Sequence, residues 1–224
     1  MSDQRAERAA VALISGGGSN LQAIIDAIAG KKLPVRLAAV ISNRATAHGL
    51  TRAKTAGIKA ITVRDVDYPD RDRYDAALST TIDEYHPDII ILAGFMRILT
   101  PSFVQRYAGR IVNIHPSLLP KFPGLHTHQR ALDNGEHQHG CTVHYVTEEL
   151  DGGPRIIQGS VNVLADDTAS KLAARVLKIE HKIYPQALAL IATGQIKYDN
   201  GTAWLNGEQL PEPVEYQDSV RDSE

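Results

Sequence analysis

The chain has 224 residues, of which 43% are hydrophobic, so we expect one domain with a sizeable core. Its 24 basic and 26 acidic residues give a formal net charge of -2, which argues against general nucleic-acid binding. The single cysteine excludes an intrachain disulfide framework, and no apolar run approaches the roughly 20 residues that span a bilayer. We therefore predict a cytoplasmic protein with no nucleic-acid or membrane partner.

The two ends of the chain differ in composition from the rest. Residues 1–8 are polar and charged, and residues 211–224 contain two prolines, several acids and little to bury. Such segments bury too little apolar surface to offset the entropy lost on ordering. We therefore predict a flexible N-terminus at 1–8, one folded domain at 9–210 and a disordered tail at 211–224.

The first half of the chain alternates apolar runs with amphipathic stretches. Strands are predicted at 9–14, 35–41, 60–63 and 89–92, and helices at 20–29, 47–56 and 73–85. Strands that are separated by helices pair in parallel through right-handed crossovers. This half therefore predicts a parallel sheet.

The second half has a different pattern. A strand at 110–112 is followed by strands at 142–146 and 156–163 with no helix between the last two, which indicates an antiparallel extension. A long amphipathic helix is predicted from about 169 to 191, and Pro185 is expected to bend or shorten it. The predicted fold class is α/β, with a mostly parallel central sheet, helices on both faces and an antiparallel C-terminal extension.

Three consecutive glycines, Gly16, Gly17 and Gly18, separate the first strand from the first helix. Glycines at this junction let backbone N–H groups face an anion, and the helix dipole favours negative charge there. The loop lacks the third glycine of a dinucleotide fingerprint and the Gly-Lys-Ser/Thr of a P-loop. It therefore predicts a phosphate site, and the alternative is a tight turn that Ser19 or Asn20 caps.

The segment Asn113-Ile114-His115 lies where a β-branched strand meets a proline-rich turn. Side chains two residues apart on a strand share a face, so Asn113 and His115 can act on one centre. Asn113 can donate a hydrogen bond to an oxyanion, and His115 can donate another or transfer a proton. Asp151 would orient the imidazole, whereas the alternative is a histidine that a neighbour satisfies at a strand end.

Six of the nine histidines lie between positions 115 and 144, which raises the possibility of a metal site. No pair has the i, i+4 spacing of a helical zinc site, and the only cysteine is isolated, so we predict no metal. His126 and His128 would open a helix, where their rings diverge. His128, His137 and His144 are interpreted as hydrogen-bonded support or substrate-rim residues, and Cys141 as a small buried side chain.

Six segments together resemble the folate-dependent formyltransferases, in particular the members of the purine pathway. They are residues 15–24, 92–99, 113–120, 121–126, 149–153 and 179–181, and the likeness extends from about Val11 to about Leu210. The resemblance implies a Rossmann-like formyltransferase fold. It also implies transfer of the formyl group of 10-formyltetrahydrofolate to the amine of N1-(5-phospho-D-ribosyl)glycinamide, hereafter glycinamide ribonucleotide, in purine biosynthesis.

The resemblance also implies roles for particular residues. Catalysis would fall to Asn113, His115 and Asp151. Glycinamide ribonucleotide would be bound by Gly16, Gly17, Gly18, Ser19, Asn20 and Glu180. The folate would be bound by Arg71, Met96, Arg97, Ile98, Leu99, Asn113, Glu148 and Asp151. One departure is Leu177, because a polar phosphate contact is expected three residues before Glu180, and Lys178 or another nearby base would have to replace it.

Two of these positions have simpler interpretations. Arg71 lies between Asp70 and Asp72, which suits a solvated surface charge, and Arg97 would fit the surface at the start of a helix.

The predicted mechanism is direct attack of the amine, with the oxyanion stabilised by Asn113 and His115 and a proton relay through His115 and Asp151. No covalent intermediate is expected, because Ser117 has no evident base and Cys141 no clear activation.

Three alternatives remain. A methionyl-tRNA formyltransferase would need a nucleic-acid-binding domain that the residues after Leu210 do not supply. A formyltetrahydrofolate hydrolase would use water in place of the amine, and a catalytically silent folate- or nucleotide-binding protein would share the fold. A monomer or a homodimer is expected.

Overall fold

A computed structural model describes residues 7–216. Eleven strands and six α-helices are present in this part of the chain, with a short 3-10 helix at Asp65–Asp67. The strands are β1 (Arg8–Ile14), β2 (Val35–Ser42), β3 (Lys59–Thr62), β4 (Ile89–Leu92), β5 (Ile111–His115), β6 (Gln138–Tyr145), β7 (Arg155–Asn162), β8 (Ile196–Asp199), β9 (Thr202–Leu205), β10 (Glu208–Gln209) and β11 (Val214–Tyr216). The helices are α1 (Ser19–Ala29), α2 (His48–Thr55), α3 (Arg71–Asp83), α4 (Pro101–Arg106), α5 (Thr127–Asp133) and α6 (Ala169–Ala192).

The main sheet has eight strands in the order β11-β7-β6-β5-β4-β1-β2-β3. Strands β1 to β5 pair in parallel, and β6 is antiparallel to both β5 and β7. The predicted α/β class, the parallel half and the antiparallel extension are therefore confirmed. Parallel pairing brings the carboxyl ends of β1, β4 and β5 to the same edge of the sheet.

Helices cover both faces of this sheet, as the continuous apolar strands require. On one face, α1 and α6 pack over residues such as Ala12, Ile91 and Val143. On the other face, α3 and α4 pack over Leu13 and Ile90. No helix within residues 7–216 combines the length and apolar character that a membrane crossing needs.

The long helix α6 passes through Pro185 without a break. Proline removes one helical hydrogen bond and costs about 3 kcal/mol in a helix interior. Buried side chains lie on both sides of it, among them Val176, Ile183 and Leu188, and their packing holds the helix together. The prediction that Pro185 shortens the helix was therefore wrong.

The two predicted flexible ends, 1–8 and 211–224, each include residues that the structure places in a strand. Arg8, placed in the flexible N-terminus at 1–8, begins β1 and pairs with Val35. Val214–Tyr216, placed in the tail at 211–224, pairs with β7 as the parallel edge strand β11. An unpaired edge of a sheet offers hydrogen bonds that a short segment of low apolar content can take. Residues 1–6 and 217–224 lie outside the described residues.

A second, three-stranded sheet follows α6, in the order β10-β9-β8. Its strands are short, and their pattern did not stand out in the sequence. Ile196 and Ala203 from this sheet are buried in the same core as α6. The second sheet therefore packs on the same core as the main sheet and α6.

Strands β6 and β7 approach each other closely at two glycines. A Cβ atom on Gly140 would lie 2.0 Å from the carbonyl oxygen of Gly159, which is shorter than any van der Waals contact. Gly159 itself faces Ile179 of α6, where a Cβ atom would lie 2.3 Å from Ile179 Cγ2. These glycines let α6 and the antiparallel strands pack without a gap.

We expect Gly140→Ala to lower the free energy of unfolding by about 3 kcal/mol, because a methyl group there overpacks the sheet. Gly17→Ala serves as the control, since a Cβ atom at Gly17 would have no neighbour within 4 Å. Urea denaturation followed by circular dichroism measures both. Equal stability of the two variants would contradict the close approach.

Candidate active site

The candidate site lies at the edge where β1, β4 and β5 end. The glycine loop follows β1, a segment without regular structure at 93–100 follows β4, and Asn113 and His115 belong to β5 itself. Ligands of open parallel sheets bind at this edge because the chain turns away from it in different directions. The glycine loop, the segment at 93–100 and the end of β5 therefore lie along one edge of the sheet.

Asn113 is held by a histidine on the neighbouring strand. The antiparallel register of β5 and β6 places Asn113 opposite His144, and Asn113 Nδ2 lies 3.2 Å from His144 Nε2. His144 Nδ1 lies 2.9 Å from the carbonyl oxygen of Tyr145, which can only accept, so the proton is on Nδ1. His144 Nε2 then accepts from Asn113, and one N–H of the Asn113 amide stays available to a ligand.

The environment keeps His144 uncharged. The ring is buried, and this burial lowers the pKa of His144 to about 4 despite the opposing effect of Asp151. A neutral ring at this position keeps its lone pair on Nε2 and so fixes the orientation of the Asn113 amide. The sequence interpretation of His144 as hydrogen-bonded support is confirmed.

His115 lies between two acceptors. Its Nε2 is 3.0 Å from the carbonyl oxygen of Phe122, and its Nδ1 is 3.5 Å from Asp151 Oδ2. His115 therefore differs from His144 in its partners, because an acceptor oxygen lies near each of its two ring nitrogens.

Asp151 is fixed by a loop from the other side of the site. Its Oδ2 accepts a hydrogen bond from the Gly124 N–H at 2.8 Å, and its Oδ1 lies 4.0 Å from His144 Nε2. Asp151 has φ 53, a left-handed conformation that aspartate tolerates better than most residues. The following Gly153 leaves no space for a side chain, because a Cβ atom would lie 1.9 Å from Tyr145 O.

The glycine loop places the start of α1 at the site. Gly18 is the N-cap, with φ 71, and neither Ser19 nor Asn20 caps the helix with its side chain. The alternative of a side-chain cap at these two residues was therefore wrong. Gly18 also packs on Gly49 of α2, where a Cβ atom would lie 2.8 Å from the Gly49 Cα. Gly16 and Gly17 are exposed at the same loop.

Two predicted substrate residues from distant parts of the chain contact each other. Asn20 Nδ2 donates to Glu180 Oε2 at 2.6 Å, and Glu180 is buried, which raises the pKa of its carboxyl group. Asn20 Oδ1 is also buried, and within residues 7–216 it has no hydrogen-bond partner. A buried acceptor of this kind suits a hydroxyl group of a ligand.

The structure adds Arg52 of α2, which sequence reasoning missed. Arg52 Nε donates to Gly17 O at 2.9 Å, and one terminal nitrogen donates to Gln22 Oε1 at 3.1 Å. A guanidinium group thus lies beside the glycine loop. The sequence shows only a basic residue on a short polar helix, and no local pattern indicates that this helix packs on the loop.

The segment after β4 presents apolar side chains to solvent. Met96 and Ile98 are each 63% exposed, whereas Leu99 is half-buried. The Arg97 side chain turns away from the site, where it forms an ion pair with Asp65 and lies 4.7 Å from the centre of the Tyr74 ring. Arg97 also precedes α4 by several residues, so its interpretation as a residue at a helix start was wrong.

Two of the predicted folate-binding residues, Arg71 and Glu148, lie at the surface. Arg71 is exposed at the first position of α3, as the solvated interpretation predicts. Glu148 is exposed and accepts a hydrogen bond from Gln105 at 2.7 Å. The structure joins neither of them to Asn113, His115 or Asp151 through a described hydrogen bond.

Two of the remaining histidines in the cluster, His128 and His139, form a pair. His128 Nδ1 lies 3.1 Å from His139 Nε2, whereas His137 is exposed. Burial lowers the pKa of His139 to about 4 and also lowers the pKa of His128. Across the described part of the chain, no three His, Cys, Asp or Glu side chains group as a metal site. Cys141 is buried, and burial raises the pKa of its thiol.

The buried histidines predict a loss of stability in mild acid. The unfolded chain protonates His139 and His144 near their ordinary pKa of about 6.5, whereas the folded chain does so only near 4. Below pH 6.5 the unfolded state therefore binds more protons, and the free energy of unfolding falls as the pH drops to about 4. His139→Gln should flatten this slope, and the exposed control His137→Gln should not. Urea titrations at several pH values measure it, and equal slopes for the two variants would contradict the assignment.

Comparison with known proteins agrees with this geometry. The family model described as Formyl transferase matches residues 8–188. The chain is 54% identical over 201 residues to phosphoribosylglycinamide formyltransferase of Escherichia coli strain K12. This match covers 90% of this chain and 95% of that protein. It also resembles the solved structure of phosphoribosylglycinamide formyltransferase from Coxiella burnetii. That match has 47% identity and a TM-score of 0.89, and it covers 94% of this chain and 99% of the other.

A structure of a formyltetrahydrofolate deformylase from Pseudomonas syringae pv. tomato is also similar, but at lower identity. It is 27% identical with a TM-score of 0.82, and the match covers 90% of this chain and 66% of that one. The site geometry and the family model thus point the same way, and the two relatives with the higher identities are transferases. The chain belongs to the formyl transferase family.

Proposed function

We propose that the protein transfers the formyl group of 10-formyltetrahydrofolate to the amine of glycinamide ribonucleotide, a step of purine biosynthesis. The observation that carries this proposal is the 54% identity to a phosphoribosylglycinamide formyltransferase over 90% of the chain. The family implies a folate co-substrate, and 10-formyltetrahydrofolate is the form with a formyl group at N10. Asn113, His115 and Asp151 supply the chemistry that the reaction needs.

The reaction moves one formyl group between two nitrogen atoms. A bond forms between the amine of glycinamide ribonucleotide and the formyl carbon, and the bond between that carbon and N10 breaks. While both nitrogens are bound to the carbon, the formyl oxygen carries negative charge. The free N–H of the Asn113 amide, oriented by His144, donates to this oxygen, and the positive charge of a His115 imidazolium beside it stabilises the negative charge electrostatically.

Proton movement completes the transfer. The attacking amine becomes positively charged and must lose a proton, and N10 must gain one as it leaves. His115 gives a proton to N10 as the bond to the formyl carbon breaks, and the proton that the attacking amine loses returns to His115. Asp151, 3.5 Å from His115 Nδ1, stabilises the imidazolium form of that ring. No covalent bond to the protein is needed, and burial that raises the pKa of the Cys141 thiol opposes a role as nucleophile.

Glycinamide ribonucleotide fits the glycine loop. The phosphate would lie on Gly16, Gly17, Gly18 and Ser19 at the start of α1, where unused N–H groups and the helix dipole favour an anion. The buried pair Asn20 and Glu180 would hold the ribose through the acceptor atoms that face it. Leu177 offers no polar contact, and Arg52, bound to Gly17 O, is the nearby base that supplies positive charge.

The folate fits the segment after β4. The exposed Met96 and Ile98 side chains, with half-buried Leu99, offer apolar surface for a flat ring, and Arg97 contributes its backbone while its side chain stays on Asp65. The glutamyl tail would extend toward solvent, where the exposed Arg71 and the rim residue Glu148 lie. Small molecules are the partners, and a metal-free reaction, a monomer or homodimer and a cytoplasmic location stay predictions.

Asp151→Asn tests the transferase assignment. With wild-type protein, 10-formyltetrahydrofolate should be consumed only when glycinamide ribonucleotide is present, and Asp151→Asn should lower kcat by about a hundredfold because the imidazolium loses its charged partner. Absorbance of the folate product measures both reactions. Consumption without the amine would mean a hydrolase, and no consumption at all would mean a binding protein.

Asn113→Ala tests the oxyanion assignment. Loss of one oxyanion donor typically lowers kcat by about 10²–10³, while the KM values change less because the donor acts mainly in the transition state. Asn134 carries an exposed amide at the end of α5, so Asn134→Ala is the matched control and should keep wild-type kcat. A kcat for Asn113→Ala within about twofold of the control would exclude this role.

A further inference from the structure

The segment at 93–100, hereafter the β4–α4 segment, has no regular secondary structure although the proposed folate site depends on it. Met96 and Ile98 are largely exposed, so their own packing does not define its shape. An irregular segment keeps one conformation only if contacts from outside constrain it. Its ends are tied by the Ala93 N–H to Leu13 O at 2.9 Å and by the Thr100 N–H to Asp75 Oδ2 at 2.7 Å.

Between these ends, one buried serine makes three hydrogen bonds. The Ser15 N–H donates to Gly94 O at 3.0 Å, and Ser15 Oγ accepts from the Met96 N–H at 2.8 Å. The Ser15 hydroxyl then donates to Asn43 Oδ1 at 2.7 Å. Ser15 is the first residue after β1 and directly precedes Gly16, so it belongs to the strand end that begins the glycine loop.

A chain of polar contacts returns from Asn43 to the β4–α4 segment. Asn43, 4% exposed, lies at the end of β2, and its Nδ2 is 3.4 Å from Asp65 Oδ1. Asp65 forms the ion pair with Arg97, the residue after Met96. Ser15, Asn43, Asp65, Arg97 and Met96 thus form a closed ring. The members reinforce one another, because each buried polar group that loses its partner costs more than it would in water.

We propose that Ser15 is a positioning residue, which fixes the β4–α4 segment against the glycine loop and so sets the affinity for the folate. This inference rests on the proposed function, since it takes that segment as the folate site. Ser15 is buried, and its hydroxyl accepts and donates its hydrogen bonds within the protein. Its hydroxyl accepts from the Met96 N–H and so determines where the backbone of Met96 and Arg97 lies, and with it the exposed Met96 and Ile98 side chains that offer apolar surface to the folate.

The chain offers a close control in Ser42, at the end of the neighbouring strand β2. Ser42 is fully buried, and its hydroxyl accepts from the Arg44 N–H at 3.1 Å and donates to Arg44 O at 3.0 Å. Both serines therefore have a buried hydroxyl with one accepted and one donated hydrogen bond. Only the Ser15 hydroxyl reaches the β4–α4 segment.

The test compares Ser15→Ala with Ser42→Ala in steady-state assays that vary each substrate separately. Ser15→Ala should raise the KM for 10-formyltetrahydrofolate by about tenfold, because the Met96 N–H loses its acceptor. The KM for glycinamide ribonucleotide and kcat should change by less than about threefold, since the glycine loop and Asn113 stay in place. Ser42→Ala should leave all three constants near wild type while losing a similar amount of thermal stability.

Titration calorimetry with tetrahydrofolate as the probe gives a readout that does not depend on turnover. A weaker Kd for Ser15→Ala than for Ser42→Ala supports the proposal even if the wild-type protein fails to transfer the formyl group, which would overturn only the proposed function. Folate KM and Kd values for Ser15→Ala equal to those of Ser42→Ala would overturn the positioning role. An equal rise in the KM for both substrates would also overturn it, because that result indicates general distortion.

A second variant keeps the proposal testable if Ser15→Ala does not fold. Asp65→Asn removes the charge that holds Arg97 but keeps an oxygen for Asn43, at a side chain that is 22% exposed. The variant weakens the contact between Asp65 and Arg97, which belongs to the same ring of hydrogen bonds. It should therefore raise the folate KM, as Ser15→Ala does, and leave the KM for glycinamide ribonucleotide unchanged. A wild-type folate KM in a folded Asp65→Asn protein would overturn the proposal.

Discussion

The parallel pairing of β1, β4 and β5 is the constraint on which the site depends. It brings three chain segments that are far apart in sequence to one edge of the sheet. Tyr184 of α6 stabilises this edge, since its buried hydroxyl donates toward Leu92 O at 3.0 Å and Val112 O at 2.9 Å. These carbonyls belong to the residues just before the β4–α4 segment and just before Asn113. One helix thus ties the proposed folate-binding segment to the proposed catalytic strand β5.

Within this frame, two neighbouring buried histidines have different partners. His144 is surrounded by protein and lies on a backbone carbonyl, and burial lowers its pKa to about 4. His115 instead has an acceptor at each nitrogen, Phe122 O and Asp151. In the proposed reaction the two rings have different tasks, because His144 orients the Asn113 amide and His115 moves protons.

Three polar contacts beyond Asn113, His115 and Asp151 have a common feature, because each joins segments of the chain that follow different strands. Ser15 joins the end of β1 to the β4–α4 segment, Arg52 joins α2 to the glycine loop, and Asn20 joins α1 to Glu180 of α6. Each is a hydrogen bond of 2.6 to 2.9 Å, and each begins or ends at a proposed ligand-binding segment. Two substrates must meet at one carbon, so the loops that bind them have to be fixed relative to each other.

The sequence by itself determined the alternation of strands and helices, the glycine loop and the group Asn113, His115 and Asp151. Hydrophobic periodicity and turn residues report local structure, and a motif preserves the spacing that the chemistry requires. The sequence predicted wrong limits for the flexible chain ends and a helix shortened at Pro185. At these places long-range packing and a free sheet edge outweigh local propensity.

Only the tertiary structure decided which partner each polar side chain has. The register of β5 and β6 places His144 on Asn113, and the sheet order brings Ser15 to Met96 across 81 positions of sequence. The link from Asn20 to Glu180 crosses 160 positions. Periodicity shows that a residue is buried and on which face, but the identity of its neighbour depends on strand register and helix packing, which are set by the whole core at once.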